Sequence, residues 1–347
     1  MIHVDLVSEP QFHTRITKSA GMATYHFGSG SVDVGIDDVN VAQWLAEFLS
    51  PWFSLEGPSG IGPKIRMIHS RELFELLERR AKDRNLQNFP CFGLDSKLVS
   101  LPGWVEPDGA TLVADKHWRC YYRLDHNRVE IISLPLELRP RTALMRILRE
   151  LTSSGASART VMLDLHAAAF VFNGRAILLA GDKRCGKTTL LTHALTSPDT
   201  ALIANDRVMV DSSGFQAHGV PTITKMREGT EQLFPQIADI SPRRAYIYHD
   251  GELASALSSE DGAGRPPLLS LAQFARQMNS TIKPAAPVGA VIFPRISSSI
   301  SKFSLDLLSP SEAETNLHRS IYGARSSKHT TTIFREMTGV PLKSGNM

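Results

Sequence analysis

Ala176-Ile177-Leu178-Leu179-Ala180-Gly181-Asp182-Lys183-Arg184-Cys185-Gly186-Lys187-Thr188-Thr189-Leu190-Leu191 reads, in order, as a buried strand, a glycine-bounded loop and the first turns of a helix. Gly181–Thr188 fits G-x-x-x-x-G-K-[ST], and the flanking strand and helix are the context this phosphate-binding loop requires. Glycines let the backbone turn tightly and bring its N–H groups close to phosphate oxygens. The helix N-terminus adds unpaired donors and partial positive charge. Lys187 then reaches the outer phosphates, and the Thr188 hydroxyl holds Mg²⁺. The candidate nucleotide-binding residues are Gly181, Asp182, Lys183, Arg184, Cys185, Gly186, Lys187, Thr188 and Thr189.

Upstream, Val161–Phe172 is a strongly apolar run that reads as one strand. It ends in Asn173-Gly174, the preferred pair for a type I′ hairpin turn. The strand entering the loop therefore pairs antiparallel with the one before it, unlike an all-parallel nucleotide-binding sheet. His166 interrupts the apolar run beside the phosphate loop, which makes it a candidate site residue. Downstream, Ala201–Ala204 reads as another buried strand, ending at Asn205-Asp206-Arg207 and continued by Val208–Val210. A carboxylate at Asp206 is placed to hold Mg²⁺ or to take the proton of an acceptor hydroxyl. Phosphoryl transfer also needs cations, because charge spreads over the transferred oxygens. Lys183, Arg184, Arg207, Lys225, Arg227 and Arg295 are the candidates, with Arg207 and Arg227 ranked first from their position after Asp206.

The chain has 347 residues, 42% apolar and 21% charged. These are ordinary values for a folded protein of about two domains. The expected class is α/β with a mixed α+β sheet, divided into an N-terminal α+β region at 1–140 and a nucleotide-binding region at 141–347. A net charge of +3, with basic residues scattered, gives no reason to expect nucleic acid. Cys91, Cys120 and Cys185 are far apart and odd in number, which suits a reducing cytoplasm. No uninterrupted apolar stretch is long enough for a membrane span, and the first residues do not read as a secretory signal.

In the N-terminal region, Arg15–Phe27 and Ser31–Ile36 read as strands. Val41, Trp44, Leu45, Phe48 and Leu49 form one helical face, and Arg71–Ala81 reads as a second helix. Asp125–Arg128 is a turn between two β-rich runs. A helix is expected over Arg141–Leu151, ended by Ser153-Ser154-Gly155. Ser255–Leu268 reads as a loop and Val288–Pro294 as a late strand. Ser309-Pro310-Ser311-Glu312 starts a helix running to about Tyr322, and the tail after Pro341 reads as loose.

N-K-x-D, L-S-G-G-Q and a strand ending in Asp-Glu are all lacking, which argues against common GTPases, transport ATPase subunits and motors. The residues that are present together resemble the HPr kinase/phosphorylase-like family, whose P-loop sits on a phosphoenolpyruvate-carboxykinase-like fold. The resemblance rests on Leu165-His166-Ala167-Ala168-Ala169, Gly181–Thr189 and Ala204-Asn205-Asp206-Arg207-Val208, with Gly219-Val220-Pro221 and Arg227-Glu228-Gly229-Thr230 downstream. It covers Leu163 to about Gly229, and more loosely the whole chain.

The resemblance implies ATP and Mg²⁺ as ligands, with Lys187 and Thr188 on phosphate and metal. It makes Asp206 the catalytic or metal carboxylate, supported by His166. The expected activity is an ATP-dependent kinase acting on a hydroxyl, a serine of a peptide or protein, in a chain that forms a homo-oligomer. The family's first acidic position is Asn205 here. That departure keeps a second reading open, a nucleotide-binding regulatory or scaffold protein with little catalysis. A small-molecule kinase is the third, separable only by its acceptor.

Overall fold

The computed structural model describes residues 21–92, 98–225, 230, 233–234, 237, 268–295, 302–321 and 334. The chain divides into two compact units. The first comprises Met1–Glu47, Phe53–Arg159 and Thr330–Met347; the second comprises Phe48–Trp52 and Thr160–His329. Among the described residues the fold is mixed α and β, with one mixed sheet in each unit and a separate two-stranded pairing. No helix among them is long and apolar enough to cross a membrane. Arg15–Ala20, Arg227, nearly all of Ser255–Leu268, Tyr322 and the tail lie outside the described residues.

The first unit holds β1 (Gly21–Phe27), β2 (Gly30–Ile36), β3 (Ser54–Glu56), β4 (Lys64–His69), β5 (Gln87–Phe92), β6 (Leu98–Val105), β7 (Thr111–Asp115), β8 (Cys120–Asp125) and β9 (Arg128–Ser133). They form a sheet in the order β3-β1-β2-β4-β9-β8-β7-β6-β5. Its helices are α1 (Val39–Leu49) as far as Glu47, α2 (Arg71–Lys82) and α3 (Arg139–Arg159). Ser70 caps α2 by accepting from the Leu73 N–H. All three cysteines are free. Burial pushes the Cys91 thiol up to about 12 and holds Cys120 well above its usual value, so both stay protonated.

The third helix corrects an expectation. It does not stop at Ser153-Ser154-Gly155 but runs through them to Arg159, and the whole of it lies in the first unit. The small residues are there for close packing, not for termination. A Cβ on Gly30 would lie 1.9 Å from the Thr152 carbonyl oxygen and 2.8 Å from the Ala156 nitrogen. Glycine at 30 and small side chains at 153–156 let β2 and α3 approach backbone to backbone. Gly30→Ala is expected to cost about 2–3 kcal/mol, since the obstacle is main chain rather than a movable side chain. Denaturant unfolding of the variant measures it.

The second unit holds β10 (Met162–Leu165), β11 (Ala167–Phe172), β12 (Arg175–Ala180), β13 (Thr200–Ala204), β14 (Val208–Asp211), β15 (Gln216–Gly219), β16 (Thr224–Lys225), β17 (Leu268–Leu269), β18 (Thr281–Ile282) and β19 (Ala285–Ile292). Its helices are α4 (Lys187–Ala194), α5 (Leu271–Gln277) and α6 (Pro310–Ser320). The main sheet runs β10-β14-β15-β19-β12-β11-β13-β18. The capping box read at Ser309 and Glu312 forms.

The Asn173-Gly174 hairpin also forms, with Phe172 opposite Arg175 and Ala167 opposite Ala180. Both turn residues have positive φ, +48° and +74°, as a type I′ turn demands. On its other side β11 pairs antiparallel with β13, and β12 pairs in parallel with β19. The P-loop strand and the strand that delivers Asp206 therefore run parallel with an antiparallel strand between them.

Two expected strands are each divided. Val161–Phe172 breaks at His166 into β10 and β11, because the chain leaves the ladder there. The His166 N–H donates to the Ser320 carbonyl, and Leu165 bridges Ile321. Val208–Val210 does not continue Ala201–Ala204 but forms β14, which pairs with β10. Both breaks fall at the same end of the sheet, and that end carries the site. Beneath it lies a core of alanines and larger aliphatic residues: Ala167, Ala169, Ala176, Leu178, Ala180 and Ile203 are buried together.

Candidate active site

The loop between β12 and α4 is shaped by three left-handed residues, Gly181 (φ +138°), Arg184 (φ +74°) and Gly186 (φ +102°). Glycine adopts such angles freely; Arg184 costs of order 1 kcal/mol there. Gly186 is the cap of α4 and has no side chain to satisfy the first-turn N–H groups. Those donors are what an anion at a helix start would use.

Lys187 is buried, and its ammonium donates to the carbonyls of Gly181 (2.8 Å) and Asp182 (3.0 Å), with Cys185 Sγ at 4.0 Å. The ammonium is thus held over the loop by acceptors that phosphate oxygens can replace. Thr189 Oγ1 lies 2.8 Å from Thr230 Oγ1, so this hydroxyl ties the helix to a later segment. The Thr188 hydroxyl has no hydrogen-bond partner among the described residues.

Register brings the other candidates to the same place. Ala167 is opposite Ala180 on one side of β11, and Ala169 is opposite Ala204 on the other. His166, Gly181 and Asp206 are each one or two residues beyond these pairs. His166 Nε2 is 3.2 Å from Asp206 Oδ1, and both side chains are partly exposed, at 37% and 45%. The pair is accessible, and each member orients the other.

Arg207 does not serve the role that its position suggested. Its Nε donates to Asp164 Oδ1 (2.9 Å) and Oδ2 (3.1 Å), and its Nη2 donates to Oδ2 (2.6 Å). The guanidinium is almost fully buried, at 6% exposure. A bidentate fork of this kind is committed to its carboxylate. The pairing follows from the β10–β14 ladder, where Leu165 faces Val208 and Asp164 faces Met209. Asp164→Ala would remove the bidentate carboxylate partner of a buried cation. It is expected to lower stability by about 3 kcal/mol, read from chemical denaturation.

Of the other candidate cations, Lys183, Arg184 and Arg295 are exposed, and the Lys225 side chain and Arg227 lie outside the described residues. Asn205 is buried. Its Nδ2 donates to Thr224 Oγ1 at 3.5 Å, and its Oδ1 has no partner among the described residues.

No cluster of three or more His, Cys, Asp or Glu side chains that would hold a metal occurs among the described residues. A hydroxyl at Thr188 and one carboxylate at Asp206 still fit Mg²⁺, which keeps several waters and takes the rest of its shell from phosphate oxygens. Asp164, Thr224 and Thr230 were not anticipated as neighbours of the site residues. Only Asp164 carried a signal, as a carboxylate inside an apolar strand, which requires a partner.

No protein-family profile matches the chain, and no curated protein matches it significantly. The functional reading therefore rests on the residues and their geometry.

Proposed function

We propose that the chain is an ATP-dependent phosphotransferase of the HPr-kinase-like kind, built on a phosphoenolpyruvate-carboxykinase-like P-loop fold, acting on a hydroxyl of a peptide or protein, a serine. The observation that carries this reading is the His166–Asp206 pair at 3.2 Å, set by strand register beside the loop that holds Lys187. A P-loop alone supports nucleotide binding; a P-loop with an accessible carboxylate–imidazole pair has a base for an acceptor hydroxyl.

In this reading ATP phosphates rest on Gly181–Thr189, and Lys187 exchanges its loop carbonyls for phosphate oxygens. Thr188 and Asp206 would hold Mg²⁺, which would supply charge neutralisation on the transferring group. The acceptor proton passes to Asp206 as the hydroxyl oxygen bonds to the terminal phosphorus and ADP leaves. His166 holds Asp206 Oδ1 in position. The test supplies γ-labelled ATP with lysate fractions separated by size. Label on serine in the peptide or protein fraction supports the reading. Label confined to the metabolite fraction replaces it with a small-molecule kinase.

Asn205 favours a second reading, a nucleotide-binding regulatory or scaffold protein with little catalysis. A carboxamide stands where the resemblance calls for a first carboxylate, and it is buried with Oδ1 unsatisfied among the described residues. Under that reading the wild type binds ATP without turnover, and Asn205→Asp restores transfer. Under the proposed function the wild type transfers phosphate as it stands. Measuring transfer in both proteins separates the two.

A further inference from the structure

Next to Asp206 in the chain, the second unit buries three polar side chains. Asn205, Thr222 and Thr224 are 6%, 9% and 0% exposed. The main chain brings them together. The Val220 N–H donates to the Arg207 carbonyl (3.0 Å), one step beyond the Val208–Gly219 pair that ends the β14–β15 ladder. The same register carried two residues further sets Thr222 across from Asn205 and Thr224 diagonal to it. Thr222 and Thr224 are two apart, the spacing that puts side chains on one face of an extended chain. Asn205 Nδ2 donates to Thr224 Oγ1 at 3.5 Å. Asn205 Oδ1 and Thr222 Oγ1 have no hydrogen-bond partner among the described residues. Buried oxygens left unsatisfied are costly, so a ligand that satisfies both is stabilised there.

We propose that Asn205 Oδ1, Thr222 Oγ1 and Thr224 Oγ1 form a site for a monovalent cation of the size of potassium. The chemistry of the three oxygens selects the ligand. A carboxamide and two hydroxyls are neutral, whereas protein sites for Mg²⁺ and Ca²⁺ draw on carboxylates. Neutral oxygens that replace a hydration shell are what potassium takes. Burial restricts the occupant to about the size of a water molecule, which admits K⁺ and ammonium and excludes an organic ligand. Charge separates the ion from water itself. Asp206 carries a half-exposed carboxylate, and in the proposed function the nucleotide phosphates lie near it. Both attract a cation and leave a neutral water indifferent. Arg207 does not compete, because Asp164 neutralises it. Only the phosphate part of this charge argument rests on the proposed function. A cation on these oxygens ties the turn between β13 and β14 to the entry of β16, and so steadies the turn that carries Asp206.

The test is the melting temperature of the full chain, without nucleotide, in KCl, NH₄Cl, LiCl or tetramethylammonium chloride at equal ionic strength. The midpoints in KCl and NH₄Cl are expected to lie about 2–5 °C above the other two. Thr222→Val removes the hydroxyl at nearly constant shape and is expected to abolish the difference. Thr222→Ser keeps the hydroxyl and is expected to retain it.

Thallous ion, a stand-in for K⁺, gives a direct reading that needs no variant. Its NMR line is expected to broaden on adding the wild-type chain and to sharpen again with KCl but not with LiCl. Equal midpoints in all four salts, a K⁺ difference that survives Thr222→Val, or a thallium line that the chain leaves unchanged would overturn the proposal. No nucleotide or acceptor is present, so failure here leaves the phosphotransferase reading standing, and absent phosphoryl transfer leaves the ion site standing.

Discussion

Replacing Lys187 with alanine is expected to lower phosphoryl transfer at least about a thousand-fold while leaving the fold intact. That factor corresponds to about 4 kcal/mol of transition-state stabilisation. It is large because the lysine is buried and its ammonium is already held by two loop carbonyls, so little reorganisation is needed when phosphate oxygens take their place. The carbonyls it leaves behind belong to the loop residues Gly181 and the exposed Asp182, where water can satisfy them. Unfolding curves that coincide with the wild type, together with lost transfer, are the expected pair of results. Transfer at the wild-type rate would remove the loop from the chemistry.

Asp206→Asn is the second large effect, a fall in transfer of about 10²–10⁴-fold. The amide keeps the shape of the side chain and a contact with His166 Nε2, so ATP binding should change far less than turnover. The base is lost, and with it the single carboxylate assigned to Mg²⁺. His166→Gln should cost less, because His166 acts by holding Asp206 Oδ1 rather than by taking the proton itself. Comparable losses in kcat for the two variants would point instead to His166 as the proton acceptor.

The parts of this site that could be read from the sequence are those fixed by local rules. Asn173-Gly174 sets a two-residue turn, the turn sets the β11–β12 register, and the register puts His166 beside the start of the loop. Gly181, Gly186 and Lys187 follow from the geometry a phosphate loop needs. What could not be read was set by distant neighbours. The break at His166 depends on Ser320 and Ile321, more than 150 residues away in the chain. Arg207 looked like a phosphate ligand until the β10–β14 ladder placed Asp164 against it. Likewise Ser153-Ser154-Gly155 has the composition of a helix end, and only the close approach of Gly30 makes small residues useful inside the helix. In each case a residue type suited to one local role was claimed by a tertiary contact.

In the proposed function the acceptor class comes from the resemblance to HPr-kinase-like proteins, because the geometry alone does not supply it. The geometry supplies an accessible carboxylate–imidazole pair, a buried lysine over a glycine loop and a hydroxyl at the helix start. Asn205 is the point at which the chain departs from that resemblance, and its buried Oδ1 makes it the residue that separates catalysis from binding.

The central claim is that Gly181–Thr189 binds ATP through its phosphates, and a calorimetric titration measures it directly. With Mg²⁺ present, ATP is expected to bind the wild type in the micromolar range, adenosine to bind far more weakly, and Lys187→Ala to lose at least about ten-fold in ATP affinity. Equal affinity for ATP and adenosine, or ATP binding unaffected by Lys187→Ala, would contradict it.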